Sequence, residues 1–481
     1  MADIATPLLE TKIRRRPGKV GAISFAAVLG LGAVYVIWKL GGDLSHARNT
    51  PAFEFALLGV ALAIALGFEF VNGFHDTANA VATVIYTHTL EPHVAVVWSG
   101  FWNLVGVLTS SGAVAFGIIA LLPVELILQV GSQAGYAMVF ALLFAAIIWN
   151  LGTWYFGIPN SSSHTLIGSI IGVGLMNQLL APKHTGTSGV DWNQAVEVIK
   201  SLVFSPIIGF VCAAALLLIV KRLIPARELY EPPKDDAPPP LWIRAILLLT
   251  CTGVSFAHGS NDGQKGMGLI MLILVGTVPT VYALNRAVGY DEVQSFVRVS
   301  QKMERVIESK IGGSATTTPD ARRELERFIE SGEMSPATLA ALRQNVASVE
   351  KDVSSYRTLS RVPTSMSGNV RNDMYLSSEA LRVMEKHKGL EFQGQDGQTV
   401  ADYRKAVDRA TKFIPTWVKV GVALALGLGT MVGWKRIVVT VGERIGKEHL
   451  TYAQGASSEL IAMVPTPRRA KSSARFSNSV R

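Results

Sequence analysis

The sequence predicts an all-α polytopic membrane protein, and two observations support this fold class. The 481 residues are 49% hydrophobic and only 17% charged, and the mean hydropathy is +0.32, so the average residue prefers an apolar solvent to water. Several windows also reach the roughly 20 mostly apolar residues that a transmembrane helix requires. The predicted membrane segments are 20–40, 53–71, 94–122, 136–156, 166–180, 199–220, 243–256, 267–284 and 416–434. Segments 166–180 and 243–256 are too short to span as straight helices.

The distribution of basic residues predicts the orientation in the membrane. A net charge of +9 would suggest nucleic acid as a partner of a soluble protein, but here the basic residues lie mostly at segment ends, so no nucleic-acid binding is expected. A basic cluster at 14–19 precedes the first segment and predicts a cytoplasmic N-terminus. The apolar run 22–38 is longer than the roughly 7–15 residues of a signal-peptide core, which predicts an uncleaved anchor. Alternation then places the basic clusters at 221–227 and 435–447 inside.

The two cysteines exclude a disulfide framework and a cysteine metal cluster. Cys212 and Cys251 lie in apolar segments and far apart in sequence, so both are predicted to be small buried side chains. No resident metal and no cofactor are predicted.

Hydrophilic stretches divide the chain. Segment 285–412 mixes both charge signs and contains helix-periodic patterns such as ARRELERFIE at 321–330, which predicts a soluble helical insertion; alternation places it outside. The predicted organisation is a cytoplasmic tail at 1–19, an extra transmembrane helix at 20–40, a first inverted repeat at 53–220, a cytoplasmic linker at 221–242, the start of a second repeat at 243–284, the insertion at 285–412, the incomplete remainder of the second repeat at 413–464 and an aberrant basic tail at 465–481.

The membrane part contains an internal repeat of its sequence pattern. An apolar run leads into GFHDTANA in the first half and into GSNDGQKG in the second. An odd number of predicted crossings separates the two motifs, so the halves have opposite orientation. Inverted repeats with polar, Gly-interrupted segments at matching places are typical of secondary transporters with broken helices and a site near the midplane.

The two polar motifs supply the candidate coupling residues. Charged side chains at the bilayer centre cost at least about 2.5–3.5 kcal/mol each, so they normally face a protein interior or a cavity. Asp76 and Asp262 are therefore functional candidates. The polar residues singled out with them in 69–87 and 255–272 are Glu69, His75, Asn79, His258, Asn261, Gln264 and Lys265. The alternative is a purely structural buried ion pair, Asp76 with His75 or Asp262 with Lys265. Oxygen ligands suit Na⁺, and an aspartate in a dry cavity could equally carry a proton.

The stretch GIPNSSSHT at 157–165 predicts a re-entrant hairpin. It lies between apolar runs without a charged connector, and irregular backbone at membrane depth survives only where protein covers it or a cavity adjoins it. Pro159 stops the incoming helix, and Ser161, Ser162 and Ser163 stand where a new helix begins. A helix N-terminus rich in hydroxyls is an anion site, whereas the alternative is an N-cap with spare serines. An oxyanion carried together with a cation would use both kinds of site.

Four stretches of the chain resemble the inorganic phosphate transporter (Pit) family, and its bacterial low-affinity branch in particular. They are GFHDTANAVATVIYT at 73–87, WNLGTWYFGIPNSSSHTLIGSIIGVG at 149–174, HGSNDGQKGMGL at 258–269 and ALGLGTMVGWKRIVVTVGERIGKEHLTYAQG at 425–455. The resemblance covers most of 53–284 and 413–464. It implies low-affinity phosphate:cation symport across a bacterial cytoplasmic (inner) membrane, without enzymatic chemistry.

The resemblance also implies roles for residues. Asp76 and Asn79 match the first family motif, Asn261 and Asp262 the second, and 161–164 the hairpin tip. Phosphate is expected at Ser161, Ser162, Ser163 and Thr165, cation or proton coupling at Asp76, Asn79, Asn261, Asp262, His75 and Glu69, and support from His164, Lys265 and Gln264. His75 stands where many members have Asn, which resembles the branch linked to protons and to metal–phosphate complexes. A proton is therefore favoured over Na⁺, with divalent metal complexed to phosphate left open, as is a homodimer.

The sequence departs from the family after Val464. A second hairpin tip is expected there, but the chain continues as PTPRRAKSSARFSNSVR, which resembles a truncated or frameshifted ending and predicts an impaired carrier or inactive paralogue. A genuine basic tail is the alternative. Three other functions stay open: a carrier of sulfate or another oxyanion, a membrane scaffold, and an intramembrane hydrolase using Ser162 or Ser163 with His164 and Asp76. The hydrolase is disfavoured because adjacent residues at a helix start do not place the imidazole as a base.

Overall fold

The computed structural model describes residues 11–13, 15, 18–45, 52–119, 132–180, 190, 192–233, 237–311, 318–386, 392–445 and 450–464, and within these ranges it contains helices but no strand. The helices are α1 (Lys19–Leu44), α2 (Ala52–Tyr86), α3 (Pro92–Thr109), α4 (Ala113–Ile119), α5 (Gln133–Tyr155), α6 (Ser162–Leu180), α7 (Trp192–Leu223), α8 (Leu241–Thr277), α9 (Pro279–Tyr282), α10 (Tyr290–Ile311), α11 (Ala321–Ser331), α12 (Thr338–Ser354), α13 (Thr364–Lys386), α14 (Gly394–Thr411), α15 (Thr416–Thr430), α16 (Trp434–Val439) and α17 (Tyr452–Ala462). A π-helical turn spans Thr440–Ile445.

The chain is a multi-pass membrane protein. In the described part, α1, α2, α5, α7 and α8 contain stretches long and apolar enough to cross a bilayer, and a sixth span results if the bent pair α14 and α15 counts as one. The all-helical polytopic fold class is thus confirmed. Of the predicted tails at 1–19 and 465–481, residues 1–10, 14, 16, 17 and 465–481 lie outside the described residues.

The helix interruptions lie elsewhere than predicted. The polar motifs run inside uninterrupted helices, the first in α2 and the second in the 37-residue α8, so 243–256 and 267–284 are not separate segments. Neither motif contains proline, and Thr77 Oγ1 donates back to the Gly73 carbonyl over 2.6 Å, which is compatible with a continuous helix. The breaks fall at 110–112 between α3 and α4 and at 431–433 between α15 and α16, where Gly112 (φ 81°) and Gly433 (φ 74°) adopt left-handed backbone.

Two helix crossings of the same design relate the halves of the membrane part. Helix α2 crosses α15, and α8 crosses α3, each through a pair of facing glycines. A Cβ atom on each glycine would lie against a carbonyl oxygen: Gly73 2.3 Å from Leu426, Gly429 2.1 Å from Phe70, Gly259 2.1 Å from Asn103 and Gly106 2.3 Å from Phe256. Every one of these carbonyls lies three residues before the partner glycine. The first helix of each half therefore meets the other half in the same way, as an inverted repeat requires.

The insertion has a hydrophobic core of its own. Helices α10–α14 enclose buried side chains that include Phe296, Phe328 and Tyr403. Arg286 provides one of its links to the membrane part: its Nη2 donates to the Thr280 carbonyl over 2.5 Å and its Nη1 donates to the Ser360 carbonyl over 3.0 Å. The predicted insertion is thus a packed helical unit joined to the end of α8 through α9.

Helix α7 lies at the periphery. The apolar part of the helix that could span a membrane has no buried residue, although α7 packs against α17. Cys251 on α8 is buried as predicted, whereas Cys212 on α7 is exposed. The prediction of a buried Cys212 is wrong because an apolar helix of a membrane protein can expose its side chains to lipid instead of burying them.

Candidate functional site

Asp76, His258 and Asp262 form the centre of the candidate site. Helix α2 supplies Asp76 and α8 supplies the other two, which lie four residues apart on one helical face. His258 Nε2 lies 3.3 Å from Asp76 Oδ2 and 3.7 Å from Asp262 Oδ2. One ligand atom from each residue lies within 4.8 Å of the others, and carboxylate and imidazole ligands suit a divalent cation.

Asn103 orients the imidazole. Its Oδ1 accepts a hydrogen bond from His258 Nδ1 over 2.7 Å, and its Nδ2 donates to Thr430 Oγ1 over 3.3 Å. Because an amide oxygen only accepts, Nδ1 carries a hydrogen and Nε2 faces the two carboxylates. A neutral His258 therefore offers a lone pair to a cation, whereas a protonated one bridges the carboxylates.

Lys265 joins the second polar motif to the hairpin. Its Nζ lies 2.6 Å from Asp262 Oδ2 and donates a hydrogen bond to Ser163 Oγ at the start of α6. The residue is 8% exposed. The ion pair between Asp262 and Lys265, which the sequence left as a structural alternative, is present. The same lysine also bonds to a hydroxyl group of the predicted anion site.

The four hydroxyl residues of the hairpin differ in their contacts. Ser161 acts as an N-cap, since its Oγ accepts from the His164 amide over 3.4 Å. Thr165 Oγ1 is engaged by the Ser161 carbonyl and by Asn160 Nδ2, at 3.2 and 2.9 Å. Ser162 is 1% exposed, and its Oγ has no hydrogen-bond partner among the described residues. The N-cap interpretation thus fits Ser161, whereas Ser162 Oγ has no partner in the described structure and Ser163 Oγ accepts from Lys265.

His75 does not pair with Asp76. Its Nε2 lies 2.5 Å from the carbonyl oxygen of Asn150 on α5, and Asn150 Oδ1 accepts from Asn160 Nδ2 over 2.7 Å. The predicted alternative pair of Asp76 with His75 is therefore wrong, because the imidazole faces the hairpin while Asp76 meets His258. His75 ties α2 to the hairpin.

The remaining candidates lie around this centre. Asn79 Nδ2 donates weakly to Asp76 Oδ1 over 3.4 Å, whereas Asn261 and His164 are exposed and, in the described part of the chain, have no side-chain bond to the cluster. Gln264 Oε1 accepts from the Val114 amide over 2.8 Å, so it caps the start of α4. Glu69 is fully buried on α2.

Arg436 clamps the base of the hairpin from α16. Its Nη1 donates to the Tyr155 carbonyl over 2.5 Å, and its guanidinium lies 5.1 Å from the Trp154 ring centroid and 5.3 Å from that of Tyr155. Trp154 Nε1 in turn donates to the Gly433 carbonyl over 2.8 Å. Hydrogen bonds thus connect the break between α15 and α16 to the end of α5, where the hairpin begins.

The sequence named His258 as a polar residue of the second stretch without assigning it a role, and it did not single out Asn103. His258 had a signal, since it stands four residues before Asp262 within the polar motif. Asn103 also had one, as a lone amide in the apolar segment 94–122.

Comparison with known proteins gives a consistent family. The model of the phosphate transporter family (PHO4) matches residues 72–466. The chain is 40% identical over 438 residues to the low-affinity inorganic phosphate transporter PitA of Escherichia coli K12, covering 85% of this chain and 84% of that protein. It is 38% identical over 445 residues to PitB of the same strain, with coverages of 85% and 84%.

A relative from Buchnera aphidicola subsp. Acyrthosiphon pisum, also a low-affinity inorganic phosphate transporter, is 38% identical over 433 residues, covering 87% of this chain and 84% of that protein. Among solved structures, a sodium-dependent phosphate transporter aligns at 14% identity with a TM-score of 0.37, over 85% of this chain and 98% of that one. The family match spans most of the chain, and both polar motifs and the hairpin lie inside it. The chain belongs to the phosphate transporter family.

Proposed function

We propose that the protein is a low-affinity inorganic phosphate transporter that carries phosphate together with protons across the cytoplasmic membrane of a bacterium. The relatives named above are low-affinity inorganic phosphate transporters. The single observation that carries the proposal is the contact of Lys265 with both Asp262 and Ser163, since it joins the carboxylates to the hairpin hydroxyls.

The phosphate site is proposed at the N-terminus of α6. The free N–H groups and the dipole of a 19-residue helix favour an anion there. Ser162 and Ser163 supply hydroxyl donors, and the Lys265 ammonium supplies a positive charge that strengthens hydrogen bonds to phosphate oxygens. Ser161 and Thr165 shape the turn that presents them. The buried Ser162 Oγ without a partner supports this proposal, because a buried hydroxyl normally has one.

Coupling is proposed to run through the carboxyl groups of α2 and α8. Asp76 and Asp262, with His258 between them, provide charges that change when a proton or another cation binds. Glu69, Asn79, Asn261 and His75 are proposed as further coupling residues, as the family resemblance implies, with His164 and Gln264 in support. A proton is proposed in preference to Na⁺, since His75 and His258 add imidazoles to the oxygen ligands.

A complex of phosphate with a divalent metal is a second candidate substrate. The ligand atoms of Asp76, His258 and Asp262 lie within 4.8 Å of one another, a spacing that three ligands of one ion can adopt. In this proposal the metal is cargo that arrives with phosphate. The cytoplasmic N-terminus, the external position of the insertion and a homodimeric assembly remain predictions.

Uptake of radiolabelled phosphate in a strain lacking other phosphate carriers tests the proposal. Cells expressing the chain are expected to accumulate phosphate above cells with an empty vector, and a protonophore should abolish this gain while removal of Na⁺ should not. Excess sulfate distinguishes the rival oxyanion: if sulfate competes as well as unlabelled phosphate, the carrier is a general one. Absence of uptake from a folded chain in the membrane would contradict the proposal and agree with the impaired carrier that the sequence suggested.

A further inference from the structure

We infer that Glu69 carries the coupling proton, as a carboxyl group separate from the cluster of Asp76, His258 and Asp262. The inference rests on the proposed function and specifies which group the proton occupies.

The side chain of Glu69 is enclosed but poorly bonded. It is 0% exposed, and its Oε1 has no hydrogen-bond partner among the described residues. Its Oε2 has only a long contact of 3.4 Å from Asn72 Nδ2. No ion pair in the described part of the chain includes Glu69. Because an uncompensated carboxylate is strongly disfavoured away from water, this environment favours the neutral acid, which holds a proton.

Gly266 allows the carboxyl group to reach α8. A Cβ atom on Gly266 would lie 2.5 Å from Glu69 Oε1 and 2.3 Å from its Cγ, so any larger residue would displace the carboxyl group. Gly266 directly follows Lys265, which contacts both Asp262 and Ser163. The buried acid therefore lies against the backbone beside the lysine of the proposed phosphate site.

Helix α2 contains the same arrangement of an acid and an amide twice. Asn72 lies three residues after Glu69, and Asn79 three after Asp76, each with an amide-to-carboxylate contact of 3.4 Å. The acids are seven residues apart, so they share a face of α2 and are separated by about 10 Å along it. The side chain of Asp76 is 13% exposed, while that of Glu69 is closed off. A hydrated cation can approach Asp76, whereas a bare proton needs no room and can occupy Glu69.

The contacts of Lys265 suggest how this proton is coupled to phosphate. With Glu69 neutral, Lys265 stays between Asp262 and Ser163 and completes the anion site. An ionised Glu69 would attract the ammonium in a medium of low dielectric constant and draw it away from Ser163. Proton binding to Glu69 therefore favours phosphate binding, and phosphate release toward the cytoplasm accompanies release of the proton from the same carboxyl group.

The test uses the purified full chain in proteoliposomes and compares Glu69→Gln with Glu54→Gln, a partly exposed acid of the first turn of the same helix. Two rates are measured: exchange of labelled for unlabelled phosphate at equal pH on both sides, and accumulation driven by an imposed pH gradient without Na⁺. We expect E69Q, a permanent mimic of the neutral acid, to keep exchange and to lose accumulation. E54Q should match the wild type in both.

Two outcomes would overturn the inference. Gradient-driven accumulation in E69Q at the wild-type level would remove Glu69 from the proton path. Loss of exchange in E69Q with an unchanged melting temperature would place Glu69 in the phosphate site itself. If E69Q does not fold, Glu69→Asp is used: it should shift the pH midpoint of accumulation but not of exchange, and an unshifted midpoint would contradict the proposal. A wild-type chain without phosphate exchange would instead refute the proposed function.

Discussion

Lys265 on α8 donates a hydrogen bond to Ser163 at the start of α6, while its Nζ lies 2.6 Å from Asp262 Oδ2. A single ammonium group thus holds together the hairpin and the polar motif of the second half. Removal of this charge should affect both the anion site and Asp262.

Lys265→Met should lower phosphate uptake at low phosphate concentration by at least about tenfold, since a hydrogen bond from a charged donor contributes about 1.5–3 kcal/mol. Lys265→Arg should retain part of the activity because the charge remains. Initial uptake rates over a range of phosphate concentrations measure the effect. Lys221→Met, on the exposed end of α7, is the matched control. Equal KM values for Lys265→Met and the wild type would show that the lysine does not contact phosphate.

Ser162→Ala should change the affinity for phosphate, whereas Ser161→Ala should change the stability of the protein. Ser162 Oγ has no partner in the described structure, so its loss should raise KM and leave thermal stability unchanged. Ser161 caps α6, so its loss should lower the free energy of unfolding by about 1 kcal/mol and change KM little. Uptake kinetics and melting curves in detergent separate the two. A raised KM in Ser161→Ala alone would reverse the assignment.

Asn103→Leu should reduce phosphate uptake, because Asn103 holds the imidazole of His258 in place. The substitution removes the acceptor that fixes His258 Nδ1 at 2.7 Å, so the imidazole loses its orientation toward Asp76. If this is its only role, Asn103→Leu should add nothing in a chain that already carries His258→Ala. Uptake rates of the two single variants and the double variant measure the coupling. Additive losses would mean that Asn103 acts independently of His258.

Gly73→Ala should destabilise the membrane part. Its Cβ would lie 2.3 Å from the Leu426 carbonyl oxygen, whereas a Cβ on Gly67 of the same helix meets nothing within 4 Å. We expect Gly73→Ala to reduce the yield of folded protein and its melting temperature. Gly67→Ala should be neutral or stabilising, by up to about 1 kcal/mol from helix propensity. Size-exclusion profiles with melting curves provide the measurement, and equal behaviour of the two variants would contradict the close crossing.

Acid should loosen the start of α11 in the insertion. Hydrogen bonds from Arg327, and then from Ser335 and Thr338, lower the pKa of Glu324 from 4.5 to about 2. A lowered pKa means that the stabilisation is complete above about pH 4.5 and is lost as the pH falls toward 2. Hydrogen exchange of residues 321–331 in the full chain should therefore quicken over this range. Glu324→Gln should exchange faster at neutral pH and respond less to acid, and an unchanged acid response in this variant would exclude Glu324 as the cause.

Much of the fold follows from hydropathy alone. The apolar windows predicted the spanning helices α1, α2, α5 and α7, whereas the windows 243–256 and 267–284 fall largely in one span, α8. The mixed charges of 285–412 predicted a helical insertion, and both predictions depend on local composition. The helix breaks were misplaced because polar residues alone do not stop a helix: Asp76 and Asp262 stay helical, and the true interruptions depend on the left-handed Gly112 and Gly433. The helix crossings at which a glycine lies against a carbonyl oxygen join two segments distant in sequence, so no local sequence pattern predicts them.

The site was predicted in part. Asp76, Asp262 and the serines stood out because polar groups are costly in a membrane, and the structure places these carboxylates beside His258. The partner of each group could not be read from spacing: His75 meets Asn150 rather than its neighbour Asp76, and Ser161 and Ser162 differ only in how the turn before α6 directs them. Such distinctions depend on which helices pack together.

Helix α8 connects the polar motif of the second half directly to the insertion, because it is continuous. Its 37 residues lead from Leu241 past Asp262 and Lys265 to Thr277, a rod of about 55 Å at 1.5 Å per residue. The next residues, through α9 and Arg286, hold the insertion. A tilt of α8 during transport would move its far end, and a spectroscopic label on the insertion would report that movement.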